Sequence, residues 1–352
     1  MLILPREGTL LKLPLSQHLH LGLIRQLKEP PSAGHYNHTA QEVKSKKWRH
    51  SAMASGINDA QYHGRTLATA HQDGTVHVAG AAPLCGHRGS ATCLAWAEHL
   101  EGAPLLASGS ADGHVIIWRE MRPNDWQSIH QKYVPGSVKS LAFSCPEPLM
   151  LAVGGGDELG VLTLLVELRR GAMNPENWQV KSVPAHEGGI ASLDWSPSSS
   201  PAVLATGPAV ARAHGRWLGA RRLATCGADG QLIIWRIDAK NDSFHREHVL
   251  DGDQIGGNDL WCSLSWRPNV GLPGNSLGAV SKEGEVMILS QDAEGMAFAP
   301  RQRWSLAQGA GCRLTWTKAG TLLAILVSPE KCVLFKESSS GEWKEIAAVD
   351  GS

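Results

Sequence analysis

The chain has 352 residues, 42% of them hydrophobic and 19% charged, the make-up of a globular protein with a substantial core, which excludes disorder as the default state. Lys plus Arg and Asp plus Glu balance at 33 each, so no long-range basic field draws in nucleic acid or anionic lipid, and neutrality favours protein partners. No apolar run approaches the ~18 residues needed to cross a bilayer, and the seven cysteines, odd in number and without a CxxC, argue against a disulfide framework and a zinc site.

Residues 1–50 come first. Their Leu-rich start is broken by charges and prolines, which does not read as a secretory signal, and "KEPPSAGHYNHTAQ" reads as a linker. The segment is expected to be a poorly ordered N-terminal extension; an amphipathic helix, a partner-docking peptide, a weak targeting leader and a misplaced gene start stay open as alternatives.

From residue 51 one phrase recurs. It appears as "TLATAHQDGTVHVAG" from Thr66, "LASGSADGHVIIWRE" from Leu106, "MLAVGGGDELGVLTLL" from Met150, "LATCGADGQLIIWRI" from Leu223, "SLGAVSKEGEVMILS" from Ser276 and "LLAILVSPEKCVLF" from Leu322. Each copy is a strand, a tight turn and a second strand, which is the grammar of a hairpin. An upstream strand ends on Tyr62, Trp96, Phe143, Trp195, Trp266 or Trp316, and a downstream strand starts at Trp126, Trp178, Phe244, Trp304 or Trp343. Four strands recurring every roughly 40 to 50 residues predict propeller blades, because a lone sheet cannot bury its apolar faces until neighbours stack on it. The spacing therefore predicts an all-β, six-bladed WD-repeat β-propeller over 51–352, with a Ser, Ala, Pro and Gly-rich surface insert at about 198–221.

His87, Asp112 and Trp118, and again His186, Asp229 and Trp235, stand at matching places in the two clearest repeats. A His, a turn Asp, a strand Ser or Thr and a Trp make a buried hydrogen-bond chain within a blade. Their recurrence marks a structural tetrad, whereas a catalytic set normally occurs once. No GxSxG, HExxH, P-loop, GxGxxG or paired-cysteine motif is present. "GGGD" at Gly154 to Asp157 lacks the Lys and helix of a phosphate loop and sits at a hairpin turn, and His18, His20, His35 and His38 fall in the extension without fixed spacing. The expectation is no enzyme, no metal, no cofactor, no nucleic acid and no small-molecule substrate.

The chain resembles the Sec-thirteen family of WD-repeat proteins. The likeness rests on "LASGSADGHVIIWRE" followed by "NDW", on "AHEGGIASLDWSP" followed by the fourth-blade insert, on "SLSWRPNVGLPGNSLGAVSKEGEV" and on "LFKESSSGEW", and it covers residues 56 to 348. Leu289 and Phe335 depart from it where Trp is expected, as does the absence of a Trp near Val78. The resemblance implies a non-catalytic subunit of the COPII vesicle outer coat and the nuclear-pore scaffold. It would be cytoplasmic, peripheral at endoplasmic reticulum exit sites and vesicles and at the nuclear envelope. It also implies an open ring, completed by a blade donated from the COPII large outer-coat subunit or from a helical-solenoid nucleoporin. The Seh-one-type paralogue and a peptide-binding adaptor, such as a ubiquitin-ligase substrate receptor, are the alternatives.

Six contiguous units leave no strand to clasp the ring, so a partner is expected to cover the bare faces of blades one and six, and the resemblance implies that it does so with a donated blade between them. Leu67 and Thr69, with Leu323 and Ile325, are candidates to point into that joint, with the parity of the strands open.

Overall fold

In the computed structural model the described residues are 56–97, 103–144, 149–156, 160–167, 177–197, 221–238, 243–255, 259–268, 274–292, 296–306, 313–328 and 331–350. The extension at 1–50, residues 198–220 of the expected insert and the Gly271-Leu272-Pro273 loop lie outside them.

Blade one holds β1 (Ile57–His63), β2 (Thr66–His71) and β3 (Val76–Val78). Blade two holds β4 (Ala91–Trp96), β5 (Leu105–Ser110), β6 (His114–Arg122) and β7 (Asp125–Tyr133). Blade three holds β8 (Val138–Phe143), β9 (Met150–Gly155), β10 (Val161–Glu167) and β11 (Trp178–Pro184). Blade four holds β12 (Ile190–Trp195), β13 (Arg221–Gly227), β14 (Leu232–Asp238) and β15 (Ser243–Leu250). A single helical turn, α1 (Gly252–Ile255), then leads to blade five, with β16 (Trp261–Trp266), β17 (Asn275–Ser281), β18 (Glu285–Gln291) and β19 (Ala299–Ser305). Blade six holds β20 (Arg313–Trp316), β21 (Leu322–Ser328), β22 (Lys331–Glu337) and β23 (Trp343–Asp350).

Within each blade every strand pairs antiparallel with the next, giving the six sheets of a β-propeller. Five of these sheets have the four strands the repeat predicts; blade one has three among the described residues. Its fourth place is marked by one bridge, in which Val76 and Leu84 exchange both amide bonds, at 3.1 and 2.8 Å. Pro83 sits beside that bridge, and a proline has no amide to extend the ladder.

Local chemistry makes the turns. Gly113 and Gly230 follow the turn aspartates with φ of 81° and 74°, a region that suits glycine, and a Cβ on Gly113 would come within 2.5 Å of the Val134 carbonyl. Asp112 Oδ1 accepts the His114 amide at 2.9 Å, and Asp229 Oδ1 accepts the Gln231 amide at 3.1 Å, each fixing its turn from the side chain.

Strand alternation gives each blade two apolar faces, and neighbouring blades fuse them into shared cores. Ala68, Ala70 and Val76 of blade one pack with Leu94, Leu106 and Ile116 of blade two. Val115 and Ile117 pack with Val138 and Leu151 across the next joint. Leu162 and Leu164 pack with Leu193 and Ile233, then Ile234 with Leu264 and Leu277, then Val286 and Ile288 with Leu323 and Ile325. Indole bonds pin the same joints. Trp96 Nε1 donates to the Gln61 carbonyl at 3.1 Å, Trp195 to Ala142 at 2.9 Å, Trp266 to Asp194 at 3.0 Å and Trp316 to Ser265 at 2.9 Å. Blade three carries Phe143 at this position, and a phenyl ring has no such donor. Trp195→Phe should therefore lower stability by about 1 kcal/mol, the worth of one buried hydrogen bond, read as a shift in urea midpoint at unchanged slope.

Candidate functional site

Two features of the ring are candidates: the polar chains inside the blades and the joint between blades six and one. In blade four His186 lies between β11 and β12, Thr225 on β13, Asp229 in the β13–β14 turn and Trp235 on β14. His186 Nδ1 lies 2.9 Å from Asp229 Oδ1, His186 Nε2 lies 2.8 Å from Thr225 Oγ1, and Trp235 Nε1 donates to Thr225 Oγ1 at 2.9 Å. With a neutral imidazole the carboxylate places the proton on Nδ1. Nε2 then accepts from the threonine hydroxyl, which accepts from the indole, so the chain of donors runs Trp, Thr, His, Asp. Burial pulls the Asp229 carboxyl upward, but the His186 hydrogen bond, with the Gln231 and Glu187 amides, outweighs it and holds the group below its usual value. The arrangement satisfies every member and leaves no group poised to react.

Blade two repeats only part of this chain. His87 Nε2 lies 2.7 Å from Ser108 Oγ, to which Trp118 Nε1 donates at 2.8 Å. Asp112, however, accepts the backbone amides of Arg88 at 2.8 Å and Gly89 at 3.1 Å, and His87 Nδ1 is buried with no hydrogen-bond partner. Burial is therefore the main influence on His87 and drives its pKa from 6.5 to about 4, with the Asp112 charge offsetting only part. For Asp112 burial acts upward, yet the His114 and Arg88 amides, the Ser110 hydroxyl and the Gly89 amide prevail and hold it well below the carboxylate range.

The joint between blades six and one differs from the other five. Ala324, Leu326 and Cys332 form a small apolar cluster with Leu334, and no blade-one residue belongs to it among the described residues. Burial raises the Cys332 thiol pKa to about 12, so it is an inert packing group. By register Cys332 faces Val349 and Leu334 faces Ala347, so the same face of the sheet continues onto β23. Its cover thins outward: Ala324, Leu326 and Cys332 are buried, Leu334 is half-buried, and Ala347 and Val349 are exposed.

The structure places Leu323 and Ile325 elsewhere. Both are buried in the core shared with blade five; the opposite parity, Ala324 and Leu326, faces the sixth joint. On blade one Ala68 and Ala70 pack against blade two, so alternation turns Leu67 and Thr69 toward the joint. Leu67 is half-buried there, and Thr69 Oγ1 bonds His71 Nε2 at 2.8 Å. The His71 and His77 rings, 4.4 Å apart, make this wall more polar than that of blade six.

Sequence reasoning missed a further set. The amide of Leu94 donates to Asp59 Oδ2 at 2.8 Å, Leu193 to Ser140 Oγ at 3.2 Å, Leu264 to Ser192 Oγ at 3.3 Å and Leu314 to Ser263 Oγ at 3.1 Å. One polar side chain thus stitches each of these blades to the next. The signal was present: "SL" recurs at the same place in "VKSLAF", "IASLDW" and "WCSLSW". Among the described residues no cluster of three or more His, Cys, Asp or Glu is placed to hold a metal ion, and no helix is long and apolar enough to cross a membrane.

Comparison with known proteins agrees with this architecture. Residues 82–119 match the family described as WD domain, G-beta repeat. The chain is 29% identical to the Protein SEC13 homolog of Drosophila melanogaster over 303 residues, covering 83% of this chain and 80% of that one. It is 27% identical to the Protein transport protein SEC13 of Mycosarcoma maydis over 367 residues, covering 89% and 96%. The crystal structure of Saccharomyces cerevisiae Sqt1 is similar in fold alone, with a TM-score of 0.62 at 14% identity over 84% of this chain and 74% of that one.

His186→Ala should destabilise the fold by about 1 to 3 kcal/mol, because it strands the Asp229 carboxylate and the Thr225 hydroxyl, and Asp229→Ala should act similarly; thermal melts of both check this. Between pH 6.5 and about 4 the unfolded chain binds a proton that folded His87 refuses, so stability contributed here is lost as pH falls through that window. His87→Gln should flatten the fall in urea midpoint over that range, measured against the wild-type chain.

Proposed function

We propose that this chain, a WD-repeat propeller of the Sec13 family, is a non-catalytic scaffold subunit of protein transport, which a helical-solenoid partner joins by adding a seventh blade between blades six and one. The observation that carries this reading is the sixth joint. Five joints have apolar cores built from both neighbours, whereas the sixth has a cluster from blade six alone, with Ala347 and Val349 exposed on the same face. An exposed apolar sheet face is a liability that native chains cover, and strand addition covers it with backbone pairing and side-chain packing together. The relatives named for protein transport supply the process; in this reading the partner is the large outer-coat subunit of COPII or a nuclear-pore nucleoporin. The tetrads inside the blades serve rigidity, and a rigid propeller on a solenoid stiffens a curved lattice. The chain then works in the cytoplasm at endoplasmic reticulum exit sites and, with the second partner, at the nuclear envelope.

The joint can be tested on side chains that the fold does not need. Val349→Asp and Ala347→Asp alter exposed positions, so the chain should fold, yet each buries a charge once a seventh blade seats and should lower partner recovery at least about tenfold. Met121→Asp, at an exposed site on blade two, should leave recovery unchanged. The readout is affinity purification of the full chain from its own cells with quantitative mass spectrometry. Equal recovery of a coat-type or pore-type solenoid by all three variants, or recovery of neither solenoid by the wild type, removes the proposal.

A further inference from the structure

The six inner strands carry structurally equivalent residues at the stitching position: Asp59, Cys93, Ser140, Ser192, Ser263 and Arg313. In blades one, three, four and five the residue is an acceptor that takes the amide of the next blade. In blade two, which carries Cys93, the neighbouring Thr92 hydroxyl reaches across instead, to the Val138 carbonyl at 2.6 Å, and in blade six Arg313 departs further. A guanidinium has five donors and no acceptor, so it cannot take an amide from any following strand. Its Nη1 donates instead to Asp59 Oδ1 at 2.5 Å, on the stitching residue of blade one, 254 positions away in the chain.

Asp59 is made for this contact. Its side chain is 1% exposed, and its carboxylate also accepts the amides of Ala60 at 2.9 Å and Leu94 at 2.8 Å. One buried anion therefore touches blades six, one and two. A serine at position 313 would be too short to reach it unless the inner strands closed up, whereas an arginine stem is long and its head is held by a charge-assisted bond. The remaining contacts on either side of the joint are a small blade-six cluster and a polar blade-one wall.

We infer that the Arg313–Asp59 pair is a latch closing the inner rim of the ring between blades six and one, in place of the amide-to-side-chain stitch found at four of the other joints and the shared apolar core found at all five. The latch is a property of the chain alone and does not depend on the scaffold reading. It changes what the rim offers. A strand entering at this point meets a cationic donor where four of the other joints present an acceptor, so it must bring an acceptor of its own or remain outside the rim.

Hydrogen–deuterium exchange of the full chain, without any partner, tests the latch. Arg313→Ser installs the residue of blades three to five and should speed exchange about tenfold in peptides from β1, β2, β20 and β21, while β12 and β16 keep wild-type rates. Asp59→Asn retains an acceptor for the Leu94 amide but loses the charge, and should give the same pattern. Arg313→Lys, with the charge on a shorter and non-planar head, should fall between Ser and the wild type. Wild-type exchange at β20 and β21 in both Arg313→Ser and Asp59→Asn overturns the inference. So does an Asp59→Asn effect confined to β4, which would assign Asp59 to the stitch with blade two alone. A general rise in exchange over all six blades in Arg313→Ser, matched by Arg313→Lys, also overturns it, because a latch acts on one joint. None of these failures touches the partner-recovery experiment.

Discussion

Each sheet of this molecule is apolar on both faces, and a sheet of four strands has nothing of its own to cover them. Everything else in the structure answers that constraint. The blades must be repeated, because only another blade presents a matching flat face. They must be set round a ring, because a straight stack would leave two ends bare. Apolar contact alone is non-directional, so it would hold two sheets together without fixing their offset. The stitches supply the offset: serine or aspartate to a leucine amide, indole to a carbonyl. Each lies at the inner edge of a joint, where the strands of neighbouring blades are nearest.

The polar chains within blades act on a shorter scale. In blade four they tie the loop entering the blade to its hairpin turn, and the anion at the end of the chain gives the imidazole a fixed tautomer. Blade two uses the same residue types and distributes them differently: the Asp112 carboxylate turns to the backbone of the entering loop and leaves the imidazole without it. The two copies have nearly identical sequence in the hairpin, so the difference arises in how the loop carrying the histidine meets the turn. In blade four the threonine and histidine are buried and the threonine hydroxyl is already taken by the Trp235 indole, so the chain is part of the packing.

One joint of the ring is unfinished by comparison with the other five. A ring whose blades were all covered equally would offer only its rim loops to a partner. Here the walls of one joint are unlike: blade six presents alanine, leucine, cysteine and valine, and blade one presents leucine, threonine and histidine beside the buried Asp59 carboxylate. A segment that fits between them has to be apolar on one side and polar on the other. That is a stricter requirement than an apolar groove would impose.

The repeat, the six hairpins and the aspartate-glycine turns were legible in the sequence, because each depends on residues a few positions apart; the tetrad residues could be named by their recurrence, but whether each chain closes was decided by the fold, which joins His186 to Asp229 and leaves His87 without Asp112. A turn needs glycine directly after its aspartate. A strand needs alternation over six residues. The reduced fourth strand of blade one was visible only as five downstream strand starts for six units, since the effect of Pro83 on the ladder depends on which strand lies beside it. Alternation states that a strand has two faces and is silent on which face meets which neighbour. That is why Leu323 and Ile325 stood as readily for the sixth joint as Ala324 and Leu326, and only packing against blade five decided it. The Arg313–Asp59 contact lies further still from any local rule. Its partners sit at opposite ends of the propeller's sequence, and neither has a pattern that names the other. They meet because the ring returns the last blade to the first, and that return is a property of the tertiary structure alone.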